Sequence, residues 1–329
     1  MTTPDLRLQR LRGTWLYGTL LLSLGAFAVA IALAPPAGTD PGRALTGLLF
    51  LGSSMHVAAT GWFYTLPEIR SHARAHLGRY AIVPLALVAG TAAVAAALSE
   101  PAFRWALYAF FAWQFFHFQK QNLGMAALAA SALRAGSLSR EERNAVAVTG
   151  IAGTVALLAR PDLLALHDAH LARVFPVACA VFLAGIGLGL YGLYRRGSRP
   201  PAFVAMYLGS LLFFTPVFLL DAPYAAVAGL IVAHGLQYLL IVGMVAVTPR
   251  PGGGPLGVAT MLVIALVGGL LLNLASHLHG SPHAWERALY GAFLGATMAH
   301  FVIDAGLWRL REEFPRRFLT AHLPYLLRP

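Results

Sequence analysis

Ten runs of mostly apolar residues dominate this chain. Each is close to the ~20 residues a helix needs to cross ~30 Å of hydrocarbon, although the fifth is short. They fall at about 13–34, 45–66, 80–98, 103–128, 145–160, 173–194, 202–220, 224–247, 256–276 and 286–309. The runs are rich in Leu, Ala, Val and Gly without period-two alternation, which excludes a transmembrane barrel. Pro/Gly-rich breaks such as PPAGTDPG, SRPP and TPRPGGGP separate several of them. The pattern predicts an all-α, polytopic membrane bundle of about ten transmembrane helices. Residues 1–329 form a single membrane-embedded domain, with a basic N-terminal segment at 1–12 and a basic tail at 310–329.

Composition supports that reading. The chain is 58% hydrophobic and 11% charged, against about 25% charged for a soluble domain. The run from Gly13 to Leu33 is long for a signal-peptide core and reads as a first span. Cys179 is the only cysteine, so an intramolecular disulfide and a thiolate metal cluster are both excluded.

The net charge of +11 does not indicate nucleic acid, because the arginines are spread over short loops and form no basic domain. Their distribution indicates orientation instead. With the N-terminus in the cytoplasm, 18 arginines lie on the inner side, including Arg7, Arg70, Arg134, Arg196, Arg250, Arg316 and Arg328. The outer loops hold five: Arg43, Arg104, Arg160, Arg173 and Arg287. This positive-inside bias places both termini in the cytoplasm and fits a bacterial-type inner membrane.

Four histidines, His56, His117, His234 and His300, lie within spans 2, 4, 8 and 10. All four spans enter from the outer side. The histidines are ten to fourteen residues in, roughly 15–21 Å deep at the helical rise. Ionisable groups at that depth are costly and mark functional sites by default. One turn further toward the cytoplasm lies a second polar layer: Thr60, Lys120, Gln121, Gln237 and Asp304, each three or four residues after a histidine. Lys120 is the only lysine, and Asp304 is the one acid clearly inside a span. The two could neutralise each other, or Asp304 could ligate a metal or orient a ligating histidine.

Imidazole suits iron, copper, zinc and nickel. The set His56, His117, His234 and His300, buried in hydrocarbon with one carboxylate nearby, fits redox iron best. The expected function is therefore a membrane oxidoreductase of the oxygenase, hydroxylase or desaturase type. It would hold non-haem iron and act on a lipid, carotenoid or quinone-like substrate from the bilayer, with dioxygen and an electron donor as partners. Asp304, Lys120, Gln121 and Gln237 are the catalytic or orienting candidates. Two alternatives stand: a haem-binding electron carrier with two axial histidines, and a proton-coupled transporter using the His, Asp and Lys groups as a relay. No internal repeat of the transporter kind supports the last.

This architecture is similar to that of the membrane carotene dioxygenases, which are polytopic, of comparable length, and hold iron with isolated histidines on several helices. The resemblance implies iron and an apolar substrate, and it assigns no individual residue.

His72 and His76 form H-x-x-x-H after span 2 (LPEIRSHARAHLGRY) and could add two ligands from one helix face. This resembles one element of the histidine boxes of membrane desaturases and hydroxylases, although the H-x-x-H-H boxes are absent. The plainer reading is an interfacial basic segment. His277, His279 and His283 read as a solvated outer loop, and His167, His170 and His322 receive no role. Nucleotide, nucleophile-elbow and aspartate-rich prenyl-diphosphate motifs are all absent.

Overall fold

Helices form wherever the apolar runs fall. A computed structural model describes residues 3–36, 39–164, 166, 171–248 and 253–327, the side chains of 3–5 excepted. His167, His170, Arg250 and Arg328 lie outside the described residues. The structure is 85% helix, with no strand among the described residues. In chain order the helices are α1 (Thr3–Leu33), α2 (Arg43–Phe50), α3 (His56–Ala59), α4 (Pro67–Ala75), α5 (Val83–Ala97), α6 (Glu100–Ala132), α7 (Arg140–Ala159) and α8 (Phe175–Arg195). They continue as α9 (Pro201–Leu211), α10 (Thr215–Leu219), α11 (Gly229–Ala246), α12 (Gly254–Ser276), α13 (Ala284–Leu307), α14 (Glu313–His322) and α15 (Pro324–Leu327).

Seven helical stretches among the described residues are long and apolar enough to cross a membrane, as befits a multi-pass membrane protein. They are Leu6–Leu33, Arg43–Thr65, Gly78–Ala97, Ala172–Arg195, Tyr224–Ala246, Gly254–Ser276 and Ala284–Leu307. Three expected spans fall outside this set. α6 carries Gln114, His117, Gln119, Lys120, Gln121 and Asn122 within nine positions, which dilutes its apolar character. α7 opens on the charged run REERN. The run expected over 202–220 is broken into α9 and α10, because the ring of Pro216 cannot continue the α9 hydrogen-bond ladder.

The helices fall into two compact units. The first holds residues 1–48, 111–237 and 324–329. Here α7 starts with a reciprocal cap, in which Ser139 accepts from the Glu142 amide and Glu142 accepts from the Ser139 amide. Glu142 is fully buried and pairs with Arg196 at 2.6 Å. Gln119 of α6 donates to the carbonyls of Val146 on α7 and Ser210 on α9, tying three helices through one amide.

The second unit holds residues 49–110 and 238–323. Its main helix pair is α5 with α13. They approach so closely that a Cβ on Gly291 would sit 2.3 Å from the Thr91 carbonyl oxygen. The Thr91 hydroxyl donates to the Gly291 carbonyl at 2.7 Å. The stretch from Arg43 to Thr65 changes winding three times, from α to a wide π turn at Leu51–Met55, back to α at His56–Ala59, then to a tight 3-10 turn at Thr60–Thr65. The π turn contains the small residues Gly52, Ser53 and Ser54. Such turns are frequent at functional sites, and this one directly precedes His56. Leu66 then becomes extended ahead of Pro67, which ends the run.

Candidate functional site

The second unit brings His56, Thr60, Tyr238, His300 and Asp304 together, all buried. The π turn and the 3-10 turn bracket His56 and Thr60; α11 supplies Tyr238, and α13 supplies His300 and Asp304. The His56 and His300 rings have centroids 5.0 Å apart and are nearly perpendicular. Each offers a nitrogen within 4.8 Å of the other's, and Asp304 offers a carboxylate oxygen within the same distance of His300.

One hydrogen-bond chain organises this group. The Tyr238 hydroxyl donates to Asp304 Oδ1 at 2.9 Å. With Asp304 ionised that single proton is used, so at the 2.7 Å contact with Thr60 it is the threonine hydroxyl that donates. The Thr60 oxygen, 2.6 Å from His300 Nδ1, must then accept from that nitrogen. The chain runs from His300 through Thr60 and Tyr238 to Asp304. It puts the His300 proton on Nδ1 and leaves the lone pair on Nε2. Nε2 faces Asp304 Oδ2 at 3.6 Å. An imidazole lone pair and a carboxylate oxygen set side by side in a buried site suit a cation.

The first unit brings together His117 and His234, with ring centroids 5.1 Å apart at 78°. His234 is buried and stacks on Phe118 at 4.0 Å; His117 is half-buried. Gln121 donates to the His234 carbonyl at 3.0 Å and to Gln237 Oε1 at 2.9 Å. Gln237 in turn donates to Ser23 Oγ on α1 at 2.7 Å. The two glutamines thus link α6, α11 and α1 beside the histidine pair.

Lys120 is exposed, with its ammonium 5.5 Å from the Phe116 ring centroid, whereas Asp304 is buried. Tyr238 is the member that the sequence reading missed. The only signal was its position four residues after His234, which set it one turn along the same helix.

His72 and His76 do adjoin, with centroids 4.3 Å apart. His72 stacks flat on Phe314 at 3.8 Å, and the His76 Nδ1 lies 3.0 Å from the His72 carbonyl. Burial, then the neighbouring charge of His76, hold the His72 pKa below its ordinary value. His277 Nδ1 lies 2.7 Å from the Asn273 carbonyl at the end of α12.

No family model, curated protein or solved structure matches this chain.

Proposed function

We propose that this protein is a ten-span oxidoreductase of a bacterial-type inner membrane, with both termini cytoplasmic. It holds non-haem iron and oxidises an apolar substrate from the bilayer. The observation that carries this reading is the pair of contacts that buried His300 makes in the second unit: one ring nitrogen within 4.8 Å of a His56 nitrogen, and Nε2 3.6 Å from Asp304 Oδ2. Two imidazoles and one carboxylate are the donor set of non-haem iron oxygenases. Iron would supply the oxygen chemistry. Thr60 holds the His300 ring and its tautomer, and Tyr238 orients Asp304. This is the role that outer hydrogen-bond partners play at metal sites. His117 and His234 are the other two ligands expected from the sequence, with Lys120, Gln121 and Gln237 to orient ligands, substrate or oxygen.

The 5.0 Å centroid spacing of His56 and His300 is too short for a haem iron to bind between this pair, which favours non-haem iron at these two residues. A second reading draws on the His300–Thr60–Tyr238–Asp304 chain, since linked exchangeable protons also suit a proton-coupled transporter.

Anaerobic addition of Fe(II) to the detergent-purified protein, followed by absorption spectroscopy, separates the readings. Tight iron uptake without a Soret band is the expected result. A strong Soret band in the purified protein would instead point to haem, and the absence of iron uptake to the transporter.

A further inference from the structure

A cleft of about 580 Å³ opens in the first unit where α6 ends and α7 begins. One wall is apolar: Leu123, Ala127 and Ala130, spaced four and three residues apart on one face of α6. The other end is basic and polar, formed by Ser131, Arg134, Ser137 and Arg143. Arg134 lies two residues beyond the end of α6, so the cleft passes from the apolar stripe on α6 to a cationic group in the loop that follows.

Arg134 occupies an unusual backbone position. Ala135 bonds back to the Ala130 carbonyl and Arg134 to the Ser131 carbonyl, closing the end of α6, with Arg134 in the left-handed region at φ 51. Glycine or asparagine is the usual residue there. A long cationic side chain held in a conformation it disfavours is the kind of strain that gathers at binding sites. The loop is rigidly supported. Arg196 donates to the carbonyls of Ala135 and Gly136 at 2.6 and 2.7 Å and lies over the Phe203 ring. Its own charge is balanced by Glu142. Arg143 bonds the Leu138 carbonyl at 2.6 Å. Among the described residues neither Arg134 nor Arg143 pairs with a carboxylate, and no acid lines the cleft.

We propose that this cleft binds an anionic phospholipid, with its phosphate between the Arg134 and Arg143 guanidinium groups and an acyl chain along Leu123, Ala127 and Ala130. Guanidinium forks match phosphate oxygens, and a basic end above an apolar stripe fits a lipid better than it fits a free ion. The proposal does not rest on the iron reading.

Native mass spectrometry of the full chain with equal phosphatidylglycerol and phosphatidylcholine tests it. Wild type should retain phosphatidylglycerol about tenfold better. Arg134→Asn with Arg143→Gln should abolish the preference; Asn suits the left-handed position. Ala127→Trp, which fills the stripe and keeps both charges, should weaken retention of phosphatidylglycerol. Arg316→Gln with Arg317→Gln should leave it unchanged. If the double variant does not fold, Ala127→Trp and Arg143→Gln alone carry the test. Equal retention of both lipids, or equal loss in the tail variant, overturns the proposal. Displacement of the lipid by millimolar inorganic phosphate, with Ala127→Trp inert, would make the ligand a free phosphate and also overturn it.

Discussion

The Thr60 hydroxyl lies 2.6 Å from His300 Nδ1 and 2.7 Å from the Tyr238 hydroxyl, joining residues 240 and 178 positions away. A single threonine therefore sets the tautomer of one histidine and links it to the tyrosine that holds Asp304. Removing that hydroxyl at constant shape should cost metal affinity more than stability. Thr60→Val is expected to weaken Fe(II) binding about 10- to 100-fold, while Thr60→Ser restores it. Titration with Fe(II) under anaerobic conditions checks both; wild-type affinity in Thr60→Val would show that the hydroxyl does not position His300.

Tyr238→Phe removes the proton that Asp304 accepts and leaves a buried carboxylate one hydrogen bond short. We expect a stability loss of about 1–3 kcal/mol, read by thermal unfolding in detergent, together with weaker iron binding. An unchanged melting curve would mean that the Tyr238–Asp304 bond of 2.9 Å contributes nothing.

Much of this group was legible in the sequence. His56 and His300 stand out because an imidazole inside an apolar run has to be compensated. Thr60 and Asp304 follow from their positions four residues on. Tyr238 escaped notice because a tyrosine within an apolar span serves equally well as packing, and its partners come from residues far away in the chain. The changes of winding around His56 were not readable either. Gly52, Ser53 and Ser54 permit a widened turn, but only packing decides where the extra residue is placed. Lys120 shows the opposite limit. Sequence depth set it near Asp304, yet depth does not say which side of a helix faces the interior, and Lys120 is exposed.

The α5–α13 contact makes a steric prediction. Gly291→Ala would put a methyl group 2.3 Å from the Thr91 carbonyl, and it should destabilise by ~1–3 kcal/mol. Gly90→Ala on α5 meets no neighbour within 4 Å and should be neutral or mildly stabilising. Parallel thermal melts compare the two; equal effects would contradict the close approach.

His72 makes a pH prediction. Its pKa is held below the ordinary 6.5, first by burial and then by His76. The unfolded chain therefore takes up this proton at higher pH than the folded one does. The stability associated with neutral His72 is fully present above pH 6.5 and declines as the pH falls from there toward the lowered folded value. His72→Phe keeps a flat ring on Phe314 and removes the titration. Between pH 7 and 5 the wild type should lose more stability than this variant; parallel losses would contradict the assignment.

The central claim is that His56, His300 and Asp304 hold iron. Elemental analysis of detergent-purified protein after anaerobic reconstitution tests it most directly, with His56→Ala, His300→Ala, Asp304→Asn and His234→Ala measured alongside wild type. The account predicts about one iron per chain in the wild type and a large loss in the first three variants. The fourth reports whether His234 belongs to the ligand set. No stoichiometric iron in the wild type, or full iron in His300→Ala, would contradict the account.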